Sequence, residues 1–361
     1  MTDAPKEPRA PRQGRLSYRD AGVDIAAGAE VVRRIAAHVA RVRRPEQLDT
    51  LGGFAGLFAL PAGYDEPVLA ACTDGVGTKL AVAQATGRHD TVGIDLVAMV
   101  VNDLVVTGAE PLFLLDYVAT GAVDPDVLEA VVRGIVEGCA QAGCTLLGGE
   151  TAEHPGTMPA GSYDLSACAV GVVERSRILG PARVREGDVL VGLPSSGLHS
   201  NGYSLVRKAL LSPEFGGFDL ADVPPGLDRP LGEVLLEPTR IYVRPVLAAC
   251  ALPNAPVHAA AHVTGGGIVE NVPRMLPPDL AAVVELGAVP RPPIFDLIAA
   301  LGVDDDEMAR TFNLGLGMVL AVAQGAREAV TKALGEAGQP AIVVGRVEPR
   351  PAGAPALRLL S

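Results

Sequence analysis

A carboxylate, two glycines, a hydroxyl group and an ammonium group follow one another closely in the segment TDGVGTKL. Glycines let backbone N–H groups approach a bound anion, and a lysine adds a point positive charge. Asp74 is a candidate Mg²⁺ ligand beside bound phosphates, and Gly75, Gly77, Thr78 and Lys79 are candidates to hold the phosphates. The segment lacks the GxxxxGK[ST] spacing of a P-loop, and a surface turn is the alternative interpretation.

The next predicted helix carries polar side chains on one face of an otherwise apolar segment. Asp95, Met99, Asn102 and Asp103 stand at i, i+4, i+7 and i+8, so they share that face. A helix that is apolar on nearly every side is buried, and a buried carboxylate is costly unless it is paired or binds a metal ion. The pattern favours metal coordination. The alternative is that Asp95 caps the helix and Asp103 pairs with an arginine.

A third carboxylate, Glu150, follows a predicted strand and a double glycine in the segment LGGETAE. It is a third candidate metal ligand beside Asp74 and Asp103. Three carboxylates with glycine-rich loops suit Mg²⁺, because this ion prefers oxygen ligands. The alternative for this segment is a helix-capping interaction that uses Thr151 and Glu153.

The second half of the chain has two further polar, glycine-containing segments that suit anion binding. The segment PSSGLHSNGYSL precedes a predicted helix, whose N-terminus would attract phosphate groups. Its candidate ligands are Ser196, His199, Ser200 and Asn201. His199 either titrates, donates a hydrogen bond to a phosphate or is structural. The segment HVTGGG is a second candidate cradle, with a plain turn as the alternative, and its candidate ligands are Thr264, Gly265 and Gly266.

Strand and helix patterns alternate along the chain and would position these segments. Strands are predicted at 67–73, 111–119, 144–147, 163–174, 188–193 and 341–348, and helices at 26–44, 92–107, 125–142, 200–211 and 238–251. Because both types interleave in both halves, an α/β or α+β fold is favoured. The pattern resets near residue 180, so we expect a disordered tail at 1–15, an N-terminal domain at 16–179 and a C-terminal domain at 180–361.

The composition limits the classes of function. A formal net charge of −12 and a pI of about 5.0 argue against non-specific binding of nucleic acid, because that requires a basic surface. No apolar run reaches the roughly 18 to 20 residues of a membrane span, and the N-terminal segment lacks the apolar stretch of a signal peptide. The cysteines form no CxxC pair, so neither a zinc site nor a disulfide framework is indicated. We expect a cytoplasmic protein without membrane or nucleic-acid partners.

Together, these motifs resemble the phosphoribosylformylglycinamidine cyclo-ligase family, also called AIR synthetases. The resemblance runs from Leu16 to about Arg346 and includes LSYRDAGVDI, LGGFAGLFALP, DGVGTKL, GIDLVAMVVNDL, GGETAEHPG, SSGLHSNGYSLVRK, HVTGGGIVEN and RTFNLGLGM. It implies a two-domain fold that forms a homodimer, in which the N-terminal domains create a β-barrel-like interface with ATP nearby. His154 and the Pro/Gly-rich segment 213–229 depart from the family pattern without touching the acidic residues.

The resemblance also implies an activity and residue roles. The reaction converts formylglycinamidine ribonucleotide and ATP to aminoimidazole ribonucleotide, ADP and phosphate, which requires positioning and charge neutralisation more than a covalent nucleophile. The implied catalytic residues are His199, Lys79 and Asp103, and the implied Mg²⁺ ligands are Asp74, Asp103 and Glu150. The implied ATP-binding residues are Gly52, Gly53, Asp74, Gly75, Gly77, Thr78, Lys79, Asn102, Gly148 and Gly149. The implied substrate-binding residues are Ser196, His199, Ser200, Asn201, Thr264, Gly265 and Gly266.

Other enzymes of the same superfamily are the competing hypotheses. Selenophosphate synthetase places a reactive cysteine in its N-terminal glycine-rich segment, whereas no cysteine precedes Cys72 here. The hydrogenase-maturation carbamoyl dehydratase needs a C-terminal cysteine, whereas this sequence ends in LLS. Thiamine-monophosphate kinase matches SSGLHSNGYSLVRK less well. A non-catalytic protein on this scaffold would be expected to lose acids or glycines that are all in place here.

Overall fold

The computed structural model describes residues 17–49 and 53–360. The predicted tail at 1–15 and the candidate ATP-binding residue Gly52 lie outside the described residues. Within the described ranges, each half of the chain is built around one open β-sheet.

The first half consists of a four-stranded sheet covered by helices. Its strands are β1 (Pro67–Gly75), β2 (Glu110–Thr120), β3 (Thr145–Glu153) and β4 (Tyr163–Glu174), and its helices are α1 (Ile25–Val39), α2 (Leu80–Thr86), α3 (Val92–Val105) and α4 (Pro125–Ala142). The strand order is β1-β4-β2-β3, in which β2 and β3 are parallel and the other neighbours are antiparallel. Helix α3 packs against β1 and β4, α4 packs against α3, and α1 packs against α4.

Helix α3 is the central helix of this half. Twelve of its fourteen residues are buried, which confirms the buried helix predicted from its nearly continuous apolar sequence. Its polar side chains therefore need partners inside the protein.

The other face of the four-stranded sheet is open. Leu69, Leu115 and Tyr117 project from it with 59%, 38% and 40% of their surface exposed. The strand register places Leu115 level with Thr73 across β4, so these side chains belong to one continuous surface. We call this surface the outer face.

The second half is built on a six-stranded sheet of order β10-β7-β9-β5-β8-β6. Its strands are β5 (Val189–Pro194), β6 (Val257–His262), β7 (Leu280–Glu285), β8 (Leu316–Val322), β9 (Ile342–Pro349) and β10 (Leu357–Leu360). Its helices are α5 (Tyr203–Leu211), α6 (Leu231–Leu235), α7 (Val243–Cys250), α8 (Gly267–Asn271), α9 (Pro293–Ala300), α10 (Asp305–Thr311) and α11 (Arg327–Glu336). Strand β8 is buried along its whole length and lies between its partners β5 and β6.

Two predicted elements are confirmed at both ends, the helix at 125–142 and the strand at 163–174. The helix begins where its sequence indicates because the Asp124 carboxylate accepts hydrogen bonds from the backbone N–H groups of Asp126 and Val127. Local capping therefore decides this boundary.

Other predicted bounds are wrong. The strand predicted at 144–147 continues as β3 because β2 offers it hydrogen-bonding partners as far as Thr120. The helix predicted from residue 200 begins only at Tyr203, because Gly202 adopts a left-handed conformation with φ of 74°. The strand predicted to close the chain is followed by a further strand, β10, which pairs with β7.

Candidate functional site

The loops DGVGTK and PSSGLHSNG meet between the two halves of the chain. The Ser200 hydroxyl donates a hydrogen bond to the Val76 carbonyl oxygen at 2.8 Å, and the Thr78 and Ser204 hydroxyl oxygens lie 3.2 Å apart. Gly77 and Thr78 are exposed beside this contact. The structure thus brings the predicted phosphate loop of the first half to the predicted anion loop of the second, and we call the space beside them the interdomain crevice.

Lys79 lies at the centre of this contact and is fully buried. Its ammonium group donates hydrogen bonds to the Asp95 carboxylate at 2.9 Å and to the carbonyl oxygens of His199 and Glu237 at 3.1 and 2.6 Å. An ammonium group has three donors, so all of them are used within the protein. The predicted role of Lys79 as a phosphate ligand does not fit this structure, because its charge holds loops of the second half.

Asp95 completes this buried pair. The backbone N–H and the hydroxyl group of Thr239 donate to the Asp95 carboxylate at 2.8 and 2.6 Å. Burial lowers the pKa of Lys79 and raises the pKa of Asp95, and the attraction between the two charges opposes both shifts. We assign the charged forms because Asp95 Oδ1 accepts three hydrogen bonds, and Oδ2, which accepts none, lies 2.8 Å from the Lys79 ammonium nitrogen. Asp95 does not cap α3, whose N-cap residue is Thr91.

Asn102 lies on the same face of α3 and is fully buried. Its side-chain oxygen accepts a hydrogen bond from the Tyr242 backbone N–H, and its amide nitrogen donates to the Arg240 carbonyl oxygen, both at 2.9 Å. The predicted contact between Asn102 and a cofactor does not fit this structure, because the side chain holds a segment of the second half.

Asp103 lies at the rim of the interdomain crevice, with 43% of its side chain exposed. His262 Nδ1 lies 2.9 Å from Asp103 Oδ1, and Asn102 Nδ2 lies 3.4 Å from His262 Nε2. Because an amide N–H can only donate, we assign Nε2 as an acceptor and Nδ1 as the nitrogen that donates to Asp103. The partner of Asp103 is therefore a histidine, not the arginine considered from the sequence.

Asp74 is half-buried at the end of β1, where the Gly75 N–H donates to its carboxylate at 2.7 Å. Burial raises the pKa of Asp74, and the negative charge of Asp103 raises it further. A bound cation would stabilise the ionised form of such a carboxylate. Asp74 and Asp103 therefore form a candidate pair of metal ligands.

Glu150 does not join this pair. It lies in β3, at the opposite edge of the sheet from β1, and three strand spacings correspond to roughly 14 Å. Among residues 17–49 and 53–360, no three His, Cys, Asp or Glu side chains lie close enough to hold one metal ion. The predicted cluster of Asp74, Asp103 and Glu150 is not assembled, because the strand order separates Glu150 from the two aspartates.

His199 is buried and has a left-handed backbone conformation with φ of 61°, which is uncommon for a residue with a side chain. The Ser196 backbone N–H donates to Nε2 at 3.2 Å, so Nδ1 carries the ring proton. Burial, with the positive charges of Lys79 and Arg240, lowers the pKa of His199 well below its ordinary value. The ring is therefore neutral near pH 7 and can donate a hydrogen bond from Nδ1.

Gly317 makes room for this ring. A Cβ atom at Gly317 would lie 2.7 Å from His199 Cε1 and 1.9 Å from the Tyr242 hydroxyl oxygen. The Tyr242 hydroxyl in turn donates to the Pro194 carbonyl oxygen at 3.0 Å. A residue larger than glycine at this position would displace His199.

Two buried donors in the PSSGLHSNG loop have no hydrogen-bond partner in the part of the chain that the structure describes. They are His199 Nδ1 and Asn201 Nδ2. The hydroxyl groups of Ser196 and Ser200 are already used, since they donate to the carbonyl oxygens of Pro238 and Val76. The loop therefore has two donors left for an oxygen-rich ligand.

The HVTGGG loop lies opposite. The Thr264 hydroxyl oxygen lies 3.4 Å from Asn271 Oδ1, and Asn271 Nδ2 donates to the Gly265 carbonyl oxygen at 3.0 Å. Gly265 is exposed, and a Cβ atom on it would lie 3.8 Å from Asn201 Oδ1. Gly266 turns the chain with φ of 89°. The two predicted anion loops of the second half thus face each other.

Gly53, Gly148 and Gly149 lie elsewhere, in the lining of a cavity of about 850 Å³ between α1 and strands β2 and β3. Glu150 lines the same cavity, which we call the α1 cavity. The predicted ATP-binding residues are therefore divided between the interdomain crevice and the α1 cavity.

Sequence reasoning missed three residues. His262 begins the HVTGGG segment, but no spacing rule connects it with Asp103, 159 residues earlier. Thr239, which donates hydrogen bonds to Asp95, belongs to none of the sequence motifs described above. Asp116 lines the α1 cavity, and its signal was available, because an acid interrupts the apolar strand LFLLDYVA.

Both halves match models of one protein family. Residues 55–173 match the N-terminal domain, and residues 185–357 the C-terminal domain, of AIR synthase related protein. A phosphoribosylformylglycinamidine cyclo-ligase of Symbiobacterium thermophilum is 58% identical over 344 residues, which cover 94% of this chain and 97% of the relative. The chain belongs to the phosphoribosylformylglycinamidine cyclo-ligase family. A cyclo-ligase of Myxococcus xanthus is 57% identical over 92% of this chain and 96% of its own length.

Solved structures of low identity share the fold of this cyclo-ligase family member. Thiamine-monophosphate kinase from Stenotrophomonas maltophilia K279a aligns with a TM-score of 0.66 at 23% identity, over 91% of this chain and 95% of the kinase. The hydrogenase maturation protein HypE in complex with ATP aligns with a TM-score of 0.62 at 18% identity, over 91% of this chain and 90% of HypE. The predicted AIR synthetase-like fold is confirmed, although both sheets of the single chain are open.

None of the helices in the described parts of the chain combines the length and the apolar character of a membrane span.

Proposed function

We propose that this chain uses ATP to close the ring of 5-aminoimidazole ribonucleotide from formylglycinamidine ribonucleotide, with release of ADP and phosphate, as a step of purine synthesis. The observation that carries the proposal is the identity of 54% to 58%, over 92% or more of the chain, with relatives named as cyclo-ligases. The solved structures below 25% identity support the fold and not a kinase activity.

The interdomain crevice is the site that suits the reaction. Asp74 and Asp103 would hold Mg²⁺, because this ion is commonly bound by one or two carboxylates together with substrate phosphates. When bound, Mg²⁺ neutralises charge on the phosphates during phosphoryl transfer. The exposed backbone at Gly77 and Thr78 lies beside these acids and would bind phosphate oxygens.

His199 and Asn201 suit the substrate side of the crevice. In the reaction implied by the family, the formyl oxygen accepts the γ-phosphoryl group, the amidine nitrogen attacks the formyl carbon, and phosphate leaves as the ring closes. The unpartnered N–H groups of His199 and Asn201 would donate hydrogen bonds to oxygen atoms that carry negative charge in these steps. His199 would act as a neutral donor, since its low pKa prevents it from supplying a proton as an imidazolium ion.

We also propose that the chain forms a homodimer through the outer face of the four-stranded sheet. Leu69, Leu115 and Tyr117 are exposed there, and apolar side chains on an open sheet are stabilised when a second surface covers them. The face belongs to the N-terminal domain, as the family resemblance implies.

A direct assay tests the activity. The purified chain, incubated with formylglycinamidine ribonucleotide, ATP and Mg²⁺, should release aminoimidazole ribonucleotide, ADP and phosphate in equal amounts. Omission of any one of the three components should abolish the product. Failure to form the imidazole product from the complete mixture would contradict the proposal.

Replacement of Asp103 tests the metal site. Asp103→Asn keeps an oxygen that can accept the hydrogen bond from His262 but removes the negative charge, so turnover should fall by on the order of a hundredfold and need more Mg²⁺. The fold without metal should be retained. The measurements are turnover against Mg²⁺ concentration and the melting temperature without ligand.

Glu150→Gln is the matched control for this prediction. It makes the same chemical change in β3, roughly 14 Å across the sheet from Asp74, so the Mg²⁺ dependence of turnover should not change. If Asp103→Asn instead lowers stability while the Mg²⁺ dependence stays normal, Asp103 is only the partner of His262.

A further inference from the structure

The segment FNLG, residues 312–315 of the motif RTFNLGLGM, connects α10 to β8 and lies against the PSSGLHSNG loop. The Ser195 backbone N–H donates a hydrogen bond to the Gly315 carbonyl oxygen at 2.8 Å. A Cβ atom at Gly202 would lie 2.4 Å from Phe312 Cε1. The segment therefore contacts the loop near both of its ends.

Asn313 is buried in the middle of this contact, with 3% of its surface exposed. Its Nδ2 donates to the Gly197 carbonyl oxygen at 2.9 Å, and its Oδ1 accepts from the Gly315 N–H at 2.9 Å. These partners fix the orientation of the amide, because a carbonyl oxygen can only accept and an N–H can only donate. The Ser195 hydroxyl oxygen lies 2.9 Å from both Asn313 Oδ1 and the Gly197 carbonyl oxygen, and so links them. The amide thus holds two residues of the loop.

The backbone on both sides of this contact adopts an uncommon conformation. Among the described residues, two of the four non-glycine residues with positive φ belong to the paired segments, His199 with φ of 61° and Leu314 with φ of 50°. Such conformations are unfavourable and persist where surrounding contacts hold them. Asn313 precedes Leu314 in the chain, and its hydrogen bond to Gly197 reaches the loop two residues before His199. Its amide is therefore placed to hold both conformations.

The orientation of His199 depends on the part of the loop that Asn313 holds. Ser196 follows Ser195 in the chain, and its N–H donates to His199 Nε2, which leaves the ring proton on Nδ1. The tautomer of a neutral histidine is set by the hydrogen bond that its other nitrogen makes. If the backbone at Ser195 and Gly197 moves, this hydrogen bond is lost, and Nδ1 no longer has to carry the proton.

We propose that Asn313 is a positioning residue that holds His199 in the orientation and tautomer that the reaction requires. This inference rests on the proposed function, because it assigns the support of a side chain that would stabilise negative charge on the substrate. The hydrogen bonds of Asn313 are made with the loop and with Gly315, so the residue acts through His199. The motif RTFNLGLGM then supports the PSSGLHSNG loop.

The decisive variant is Asn313→Leu, which keeps the number and branching of the side-chain heavy atoms but forms no hydrogen bond with Gly197 or Ser195. Solid-state 15N NMR of histidine-labelled protein reports the tautomers, and His199→Gln identifies the signal of His199. In the unliganded wild type we expect the Nδ1–H tautomer, and in Asn313→Leu a mixture of both tautomers. Persistence of the Nδ1–H tautomer in Asn313→Leu would overturn the proposal.

The kinetic constants give a second readout. Misplacement of a group that acts on the reacting atoms slows the chemical step, so Asn313→Leu should reduce kcat by roughly tenfold to a hundredfold. The KM for ATP should change by less than about twofold, because Asp74 and Gly77, which would hold the metal and the phosphates, belong to the first half. A higher KM for ATP without a fall in kcat would contradict the role of Asn313.

Ser195→Ala is the second variant, and it decides the question if Asn313→Leu does not fold. It removes the hydroxyl group that links Asn313 Oδ1 to the Gly197 carbonyl oxygen. The same mixture of tautomers is expected, with a smaller fall in kcat of roughly threefold to tenfold. A Ser195→Ala protein with the wild-type tautomer and kcat would count against the proposal.

Val283→Ala is the matched control for a general loss of stability. Val283 is buried in β7, which lies two strands from β5 in the sheet, so the substitution lowers the melting temperature without reaching the loop. The His199 tautomer and kcat should both remain those of the wild type. A changed tautomer in Val283→Ala would mean that lost stability alone moves the ring, which contradicts the assignment to Asn313.

The two readouts separate this inference from the proposed function. The tautomer is measured without substrate, so a tautomer that depends on Asn313 in a protein that forms no imidazole product would contradict only the proposed function. Product formation by the wild type, with an unchanged tautomer and kcat in Asn313→Leu, would contradict only this inference.

Discussion

At the scale of single residues, burial decides what a charged side chain does. Lys79 follows a glycine-rich loop, which suggests a phosphate ligand, but its ammonium group is enclosed with Asp95. Breaking a buried ion pair leaves the remaining charge without compensation and commonly costs about 3–5 kcal/mol. A surface pair contributes about 1 kcal/mol or less. The two roles therefore predict different outcomes for a substitution.

Lys79→Met should lower the free energy of unfolding by about 3–5 kcal/mol, because Asp95 loses its cation in a buried position. The double variant Lys79→Met, Asp95→Asn should recover much of this loss, since the amide is neutral and can still accept from Thr239. Urea unfolding measures both. Lys208→Met, which breaks an exposed pair with Glu214, is the control and should change stability by about 1 kcal/mol or less. Normal stability with weakened ATP binding in Lys79→Met would restore the phosphate-ligand interpretation.

At the scale of elements, α3 connects the two halves. Asn102 holds the backbone of Tyr242 and Arg240 in the second half, while Asp95 holds Thr239. The same helix carries Asp103 to the rim of the interdomain crevice. One face of one helix thus fixes the position of the second half and presents the candidate metal ligand.

Asn102→Leu should lower the free energy of unfolding by about 1–3 kcal/mol, because the buried Tyr242 N–H loses its acceptor while the number and branching of the side-chain heavy atoms are kept. Met99→Leu, on the same face of α3, keeps an apolar side chain and should cost less than about 1.5 kcal/mol. Denaturant titration compares the two variants. Equal stability of Asn102→Leu and the wild type would mean that these hydrogen bonds do not hold the halves together.

In this chain, local signals in the sequence predict the helices and strands well. They do not predict which residues of different elements contact each other. Helix α4 follows from its Asp124 cap and apolar periodicity, and the buried character of α3 follows from its composition. The pairing of Lys79 with Asp95 depends on how α3 packs beside the loop before α2, and the separation of Glu150 from Asp74 depends on strand order. Neither leaves a local pattern, because both arise from packing between separate elements. The loops DGVGTK and PSSGLHSNG do meet, but no local pattern predicts their contact.

At the scale of the whole molecule, the outer face predicts the oligomeric state. Light scattering at micromolar concentration should report twice the 37.1 kDa of one chain, because a second copy covers the apolar side chains. Leu69→Glu should shift the protein toward the monomer, since it places a charge at an exposed apolar position of this face. Val223→Glu makes the same change at a similarly exposed position in the second half and should leave the dimer intact. A wild-type mass of 37.1 kDa would contradict the proposed dimer.

The contact between Asp95 and Thr239 also has a consequence for synthesis on the ribosome. These residues are 144 positions apart, and at roughly 5–20 residues per second the ribosome needs about 7–30 seconds to add the intervening chain. During this interval α3 exists without the backbone groups that later satisfy Asp95 and Asn102. A nascent chain that stalls before residue 239 therefore leaves the polar face of α3 in contact with water. The cell's quality-control proteases would then encounter a first half whose central helix is not yet held in place by the second half.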